Sequence, residues 1–160
     1  MTDKMDATCF DRDGTLFSVE HHMGPKGPRD WGAYNKGAGD DCVVPGVAAL
    51  FRFIRDHSTA KVIITSGRED HTRDAMLRAM ALHDVLPDYL FMRKSGDNRK
   101  DSIVKLEMYA QEIEPRFNVL FVVDDRQQVV DAGRSIGLHV IQVADTGVDP
   151  CYGQHAPKIF

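Results

Sequence analysis

Long apolar runs are absent from this sequence of 160 residues, which excludes a membrane-spanning helix. Its longest runs, such as 118–123, have the length of a β-strand, whereas such a helix needs roughly 20 apolar residues. An export signal is also missing, because the N-terminal residues lack an apolar core followed by a small-residue cleavage site. We therefore expect a cytoplasmic protein with no membrane partner.

Cysteine is scarce, and positive charge is not in excess. The three cysteines, Cys9, Cys42 and Cys151, are far apart and match neither a disulfide framework nor a C-x-x-C motif, so we expect reduced thiols. The 20 Lys and Arg residues against 24 Asp and Glu residues give a formal net charge of −4. This charge argues against a broad basic face for nucleic acid, so any such partner must be held locally.

Repeats and low-complexity tracts are also absent, and the length suits one domain. We expect this domain to cover residues 1–160, with a core at about 6–144 and a tail at 145–160 of unassigned role. Alternating with helical patterns, the predicted strands lie at 7–10, 60–65, 88–92, 118–123 and 138–143. This alternation predicts an α/β fold with a mostly parallel, five-stranded sheet and helices on both faces.

Polar residues follow three of the predicted strands. They read Asp11-Arg12-Asp13-Gly14-Thr15, Thr65-Ser66-Gly67-Arg68 and Asp124-Asp125-Arg126. In open sheets of this kind, ligands bind beyond the carboxyl ends of the strands, near the point where strand order reverses. We therefore expect the three segments to meet at one edge of the sheet and to form a site.

Four of these polar residues are aspartates, namely Asp11, Asp13, Asp124 and Asp125. Converging carboxylates repel one another by roughly 4 kcal/mol per pair at about 4 Å and an effective dielectric near about 20. A divalent cation relieves this repulsion, and oxygen ligands without His or Cys favour Mg²⁺ over Zn²⁺. Beside such a metal, one carboxylate can attack a phosphate while its neighbour transfers protons.

A phosphoryl group also needs donors. Ser66 can donate a hydrogen bond to one phosphoryl oxygen, and Lys105 can neutralise another. Asp101 lies four residues before Lys105 on the same predicted helix, so the acid can orient the ammonium group.

These motifs together resemble the four-motif signature of the haloacid dehalogenase (HAD) superfamily. In chain order they are Asp11-x-Asp13-Gly14-Thr15, Ser66-Gly67, Lys105 and Asp124-Asp125. A longer stretch, together with Ser66-Gly67-Arg68-Glu69, is similar to the 3′-phosphatase domain of bacteriophage polynucleotide kinase/phosphatase. It runs through Arg99-Lys100-Asp101, Lys105, Pro115-Arg116-Phe117, Asp124-Asp125-Arg126-x-Gln128, Arg134-x-Ile136-Gly137 and Gln142-Val143-Ala144.

The resemblance implies a three-layer, HAD-like Rossmannoid fold and a Mg²⁺-dependent phosphatase that removes 3′-phosphates from DNA or RNA ends in end repair. It implies Asp11 as the nucleophile that forms an aspartyl-phosphate, and Asp13 as the general acid and base. The implied metal ligands are Asp11, Asp124 and the main-chain carbonyl of Asp13, while Ser66 and Lys105 hold the phosphoryl group. Around them, the implied substrate-binding residues are Gly14, Thr15, Lys26, Arg29, Gly67, Arg68, Asp101, Asp125 and Arg126.

The sequence departs from the family in two places. It has no G-x-x-x-x-G-K-[ST] motif, so we expect no 5′-kinase activity, and a separate kinase or ligase is the expected partner. Lys26, with Arg29 close by, stands where the family places a loop arginine, and a lysine cannot reproduce a bidentate arginine clamp.

A large cap domain does not fit into the available intervals. About thirty residues separate the first motif from the helix near Val47, and about forty separate Ser66 from Lys105, where predicted elements already use the room. The site is therefore expected to be open to a bulky substrate.

Two alternative functions stay open, namely a small-molecule or nucleotide phosphatase capped by oligomerisation and a non-catalytic subunit that binds phosphorylated ends. Four further basic residues could guide a polynucleotide or simply be solvated, namely Arg93, Lys94, Arg99 and Lys100.

Overall fold

The computed structural model describes residues 3–19, 23–24, 27–28, 30–39 and 41–144. In chain order, its strands are Met5–Asp11 (β1), Phe17–Ser18 (β2), Met23–Gly24 (β3), Gly27–Pro28 (β4), Cys42–Val43 (β5), Lys61–Glu69 (β6), Tyr89–Arg93 (β7), Phe117–Asp124 (β8) and Val140–Gln142 (β9). Its α-helices are Trp31–Lys36 (α1), Pro45–His57 (α2), Arg73–Leu82 (α3), Asp101–Met108 (α4) and Gln127–Ser135 (α5).

Five parallel strands form the main sheet, in the order β7-β6-β1-β8-β9. Strand β1 lies in the middle, and the chain builds outward from it first on the β6 side and then on the β8 side. The strand order therefore reverses beside β1, which is where a ligand is expected in a sheet of this class. The five predicted strands and the parallel sheet are confirmed.

Apolar residues cover both faces of the sheet because their side chains alternate along each strand. Phe10 and Ile64 point to the face covered by α2 and α3, where the Phe10 ring packs edge-on against Phe51 with 5.4 Å between ring centroids. Ala7 and Ile63 point to the opposite face, in a cluster with Cys9, Ile113 and Phe117. The three-layer arrangement predicted from the sequence is therefore confirmed.

The intervals considered for a cap domain hold only small elements in the part of the chain that the structure describes. Between β1 and α2 these are the ribbons β2–β5 and β3–β4, the short helix α1 and a 3₁₀ turn. Between Ser66 and Lys105 they are a 3₁₀ turn, α3 and β7. The longest of these elements is the ten-residue helix α3, so the described residues of these intervals build no large cap.

Two other expectations can be compared with the described residues. Cys9 is buried and free, as expected, but Cys42 is disulfide-bonded, so the expectation of a reduced thiol is wrong there. Whether a cysteine forms a disulfide depends on the geometry of the fold, which the spacing of cysteines along the chain does not give. Across the described helices, none combines the length and apolar character needed to cross a membrane.

A tight turn follows β1 and carries the chain past the end of β8. Gly14 lies at φ +85°, and its N–H donates to the carbonyl of Phe17 at 2.8 Å. The Thr15 hydroxyl donates to Asp125 at 3.1 Å, while a Cβ on Gly14 would collide with the same carboxylate. The turn therefore requires glycine at position 14 for two reasons: its backbone is left-handed, and Asp125 approaches it closely.

We expect Gly14→Ala to be more destabilising than Gly96→Ala. Gly96 has a similar φ of +83°, but no described atom lies within 4 Å of the place that a Cβ would take, so it serves as the matched control. Strain in the left-handed region alone costs roughly 1–2 kcal/mol, and the collision with Asp125 should add at least about 1 kcal/mol at Gly14. Urea unfolding measures both free energies, and equal losses would contradict the packing of Gly14 against Asp125.

Candidate active site

The register of the sheet brings three predicted motifs to one edge. Asp11 is the residue opposite Thr65 on β6, and Phe10 is opposite Val123 on β8. Asp11, Ser66 and Asp124 therefore lie side by side at the carboxyl ends of the three central strands. All three are nearly or fully buried, with exposures of 4%, 0% and 1%.

A bulge in β6 shapes one wall of the site. The pairing of β6 with β7 shifts between Ser66 and Glu69, so Gly67 and Arg68 leave the regular ladder. A Cβ on Gly67 would collide with the Asp101 carboxylate, which lies at the start of α4. Glycine at this position therefore lets the strand end and the helix approach closely. The Ser66 hydroxyl accepts the N–H of Arg68 at 3.1 Å, which leaves its own proton for another acceptor.

Lys105 lies at the centre of the acidic residues. Its ammonium donates to Asp11 Oδ1 at 2.5 Å and to Asp124 Oδ2 at 2.7 Å. Asp101 Oδ2 is 3.5 Å away on the same helix, which confirms the predicted pairing four residues apart. Burial disfavours the ammonium, but the charges of Asp11 and Asp124 outweigh it and raise the pKa of Lys105. Lys105 is therefore a fixed positive charge beside Asp11.

Three carboxylates converge next to this lysine. Oxygens of Asp11, Asp124 and Asp125 all lie within 4.8 Å of one another. Burial, followed by the negative charge of Asp124, raises the pKa of Asp125. Burial also raises the pKa of Asp11, where the nearby acids add to the effect and Lys105 opposes it. The cluster thus carries more negative charge than Lys105 balances.

A divalent cation fits this donor set. Asp11 Oδ2 is buried and has no hydrogen-bond partner in the described part of the chain. The converging donors are carboxylate oxygens, which Mg²⁺ prefers to nitrogen or sulfur. Asp125 joins Asp11 and Asp124 here, whereas the sequence placed it among the substrate-binding residues. The carboxylate of Asp13 is not part of this group, and the expected contribution of its main-chain carbonyl stays a prediction.

Asp13 has a different environment from Asp11, only two residues away. Its carboxylate forms a salt bridge with Arg12 and accepts hydrogen bonds from Arg68 Nε at 3.1 and 3.0 Å. Burial opposes ionisation of Asp13, but the charges of Arg12 and Arg68 outweigh it and lower the pKa. Asp41 completes this group, because its Oδ2 accepts from Arg12 at 2.8 Å and from Arg68 at 3.0 Å. Sequence reasoning missed Arg12 and Asp41.

Above these groups lies a cleft of about 540 Å³ that opens to solvent. Asp11, Asp13, Lys100 and Arg126 are among the residues that line it. Lys100 is exposed, and 41% of the Arg126 side chain is accessible. The lining thus combines buried acidic side chains with two accessible basic ones, Lys100 and Arg126, which we call the basic wall. Arg126 Nη1 also lies 3.7 Å from Asp101 Oδ2.

Of the other basic residues considered for a polynucleotide, Lys94 is exposed, whereas Arg93 and Arg99 bond to other groups of the protein. Arg93 donates to the carbonyls of Gly67, Asp97 and Arg99 at 2.7 to 2.9 Å, so it fastens the strand end to the loop before α4. Arg99 pairs with Asp97 at 2.7 Å and with Glu107 at 2.6 Å. Their charges are therefore largely balanced within the fold.

The remaining predicted substrate-binding residues are placed as follows. Gly14 and Thr15 lie beneath the cleft, where they hold Asp125. Arg68 lines the cleft, but its side chain is fully buried against Asp13 and Asp41. Lys26, Arg29 and the tail 145–160 lie outside the described residues. The binding roles of these residues stay predictions.

Comparison with known proteins agrees with this architecture. The family profile described as the polynucleotide kinase PNKP phosphatase domain matches residues 5–147. A chain in the structure of the Pnkp1/Rnl/Hen1 complex is 32% identical, with a TM-score of 0.75 over 90% of this chain and 47% of that chain. A chain in the Pnkp1/Rnl/Hen1 RNA repair complex matches equally well, over 44% of its length.

More distant structures share the fold alone. The class C acid phosphatase from Bacillus anthracis is 15% identical, with a TM-score of 0.63 over 92% of this chain and 69% of that chain. The chain spans about half the length of the Pnkp1-complex chains that it matches. The profile match and the 32% identity show the family, and the chain belongs to the polynucleotide kinase phosphatase domains, a group of HAD-type phosphatases.

Proposed function

We propose that this chain is a Mg²⁺-dependent polynucleotide 3′-phosphatase that acts in nucleic-acid end repair through an aspartyl-phosphate. The observation that carries the proposal is the state of Asp11 at the floor of the cleft. One of its oxygens is held by Lys105, and the other is buried without a hydrogen-bond partner in the described part of the chain. This arrangement suits a nucleophile that also ligates a cation, because Lys105 orients the carboxylate and no described donor competes for its second oxygen.

The reaction proceeds in two steps. In the first, an oxygen of Asp11 bonds to phosphorus, the bond from phosphorus to the sugar oxygen breaks, and Asp13 gives its proton to the leaving oxygen. In the second, Asp13 takes a proton from water, the water oxygen bonds to phosphorus, and the Asp11–phosphorus bond breaks. Inorganic phosphate leaves, and both aspartates return to their starting states.

Two side chains hold the transferring group during these steps. Ser66 offers its hydroxyl proton beside Asp11, and Lys105 supplies a positive charge at the same edge. Asp11, Asp124 and the main-chain carbonyl of Asp13 would hold Mg²⁺, with Asp125 adjacent to them. The ion supplies positive charge that lets an anionic phosphate approach a carboxylate and that stabilises charge on its oxygens.

A nucleic-acid end is the substrate that agrees best with the cleft. The cleft is open to solvent, and the basic side chains of Lys100 and Arg126 line it. A related chain occurs in a complex named for RNA repair, which supports RNA ends as a substrate and a separate ligase as a partner. DNA ends as a substrate and a separate kinase as a partner are further parts of the proposal. We also propose that the chain forms a single phosphatase domain and that it acts in the cytoplasm.

The first test compares substrates of different size and phosphate position. We expect Mg²⁺-dependent phosphate release from 3′-phosphorylated DNA or RNA oligonucleotides, and slower release from 5′-phosphorylated oligonucleotides and 3′-mononucleotides. EDTA should abolish release, and Asp11→Asn should lower it by more than about 10³-fold because the nucleophile is lost. Released phosphate is measured directly.

Asp84→Asn is the matched control for this test. Asp84 is a remote aspartate with 73% of its side chain exposed, and it pairs with Arg55. Its φ of 54° suits asparagine as well as aspartate, so the variant should keep full activity. Faster turnover of the mononucleotide would instead favour a metabolite phosphatase. Binding of 3′-phosphorylated ends without any turnover would favour a non-catalytic subunit.

A second test asks whether the basic wall contacts the polynucleotide. In an Asp11→Asn background, we expect Lys100→Ala and Arg126→Ala each to weaken binding of a fluorescent 3′-phosphorylated oligonucleotide. A plot of the logarithm of the binding constant against the logarithm of the salt concentration has a negative slope. Each variant should reduce the magnitude of that slope by about 0.7, the value for one phosphate contact on a single strand. Fluorescence anisotropy at several salt concentrations measures the slope.

Lys4→Ala and Lys61→Ala are the controls. Lys4 directly precedes β1 and Lys61 begins β6, so both lie at the edge of the sheet opposite to the active site. They remove the same charge far from the cleft, so the slope should stay unchanged. Equal effects of all four variants would mean that only net charge matters, and the basic wall would then have no specific role.

A further inference from the structure

We propose that the tail at 145–160 packs on the second face of the ribbon β2–β5 and is bonded there through a disulfide between Cys151 and Cys42. The inference does not depend on the proposed phosphatase reaction. It gives a position to a segment for which that reaction has no use. Cys151 lies outside the described residues, whereas Cys42 and the ribbon are described.

The cysteines of the chain leave one partner for Cys42. The sequence contains three cysteines, Cys9, Cys42 and Cys151. Cys42 is disulfide-bonded, whereas Cys9 is a free thiol that is buried in a separate apolar cluster. Burial raises the pKa of the Cys9 thiol to about 12, which keeps it protonated and unreactive. A disulfide within one chain can therefore join Cys42 only to Cys151.

The ribbon β2–β5 is buried on both of its faces. Phe17 and Val43 are opposite each other and belong to the apolar core. Because side chains alternate along a strand, the next pair, Ser18 and Cys42, points to the second face. An antiparallel ribbon commonly leaves that face to water, but here Ser18 is only 4% exposed and Cys42 only 3%. Another part of the chain therefore covers the second face of the ribbon.

The hydroxyl of Ser18 is a second, independent sign of a missing contact on this face. Its oxygen is buried and has no hydrogen-bond partner in the described part of the chain. Buried hydroxyls usually have a partner, because an unpaired one costs free energy. Ser18 thus offers one polar contact to a backbone group of the tail, directly opposite the cysteine that forms the disulfide.

The tail starts close enough to reach Cys42. The N–H of Val143 donates to the carbonyl of Asp124 at 3.0 Å, so the tail begins at the carboxyl edge of the sheet. Strand β1 ends at the same edge, two strands from β9, which is about 10 Å at about 4.8 Å per strand. The ribbon begins six residues after the end of β1. Cys151 is seven residues after Ala144, and seven residues can span about 23 Å.

Formation of this disulfide needs an oxidant, which a small disulfide such as oxidised glutathione supplies. One protein thiolate attacks oxidised glutathione and releases one glutathione thiolate. The second protein thiolate then attacks the mixed disulfide, forms the bond between Cys42 and Cys151 and releases the second glutathione thiolate. The two protons lost by the protein thiols pass to the released thiolates, and two electrons pass to glutathione. In a reducing compartment the exchange runs in reverse, so the bond follows the redox state.

Packing of the tail on the ribbon makes the bond easier to form in the folded chain than in the unfolded chain. In the unfolded chain the two thiols meet only by chance, whereas a packed tail holds them together. The ratio of the two equilibrium constants equals the factor by which the bond stabilises the fold. A ratio of at least about 30, or about 2 kcal/mol, corresponds to a typical native disulfide.

The experiment equilibrates the reduced full chain with mixtures of reduced and oxidised glutathione, with and without concentrated urea. Acid quenching, alkylation, digestion and mass spectrometry then identify the joined cysteines and the joined fraction. We expect a peptide pair that contains Cys42 and Cys151, and an equilibrium constant at least about 30-fold larger without urea. The oxidised chain should also melt at least about 4 °C above the reduced chain.

Two variants control this experiment. Cys9→Ala removes the thiol that is buried elsewhere, so the bond should persist. Cys151→Ser should abolish both the bond and the rise in melting temperature, and it changes no described residue, so it keeps the test decisive if Cys42→Ser unfolds. A bond to Cys9, glutathione adducts alone, or equal constants with and without urea would overturn the inference. Phosphate release is measured separately, so the proposed function stands or falls independently of these outcomes.

Discussion

The buried ion pairs of Lys105 organise the site. An ammonium group without water is costly, and here it is stabilised because Asp11 on β1 and Asp124 on β8 both accept its hydrogen bonds. Helix α4 must therefore lie over the edge where these two strands meet. Asp101, one turn before the lysine, extends the contact to Gly67, where only glycine leaves room for its carboxylate. A single lysine thus fixes helix α4 against three strands.

The site has two charge groups that lie side by side without merging. Around Asp11, carboxylates outnumber the single lysine, and burial together with this excess raises the pKa of Asp11. Around Asp13, burial is outweighed by Arg12 and Arg68, and the pKa is lowered. Adjacent carboxylates in opposite environments are the usual way in which one fold gives two aspartates different roles. The raised pKa of Asp11 reflects an excess of negative charge that a cation would offset, and the lowered pKa of Asp13 keeps it ionised, which is the form that accepts a proton.

The sequence predicted what depends on strand ends and helix spacing. Asp11, Ser66 and Asp124 could be placed together because parallel strands end at one edge, and Lys105 could be paired with Asp101 from helical periodicity. Asp41 could not be predicted, because it reaches the site only through the ribbon that returns the chain to β2, and loops have no period. The extension of β6 through a bulge was missed for a similar reason, since a bulge breaks the alternation that identifies strands.

Under the proposed function, the buried position of Asp11 explains why the substrate would be the end of a nucleic-acid strand. Asp11 is only 4% exposed at the floor of a cleft of about 540 Å³. A terminal phosphate has one sugar attached and can project downward to the carboxylate, whereas an internal phosphodiester carries chain on both sides and is kept at the rim. Lys100 and Arg126 are accessible where they line the cleft, so under the proposed function they would meet the neighbouring phosphates of the polynucleotide. Depth would then select the end of the strand, and the basic side chains would hold the rest of it.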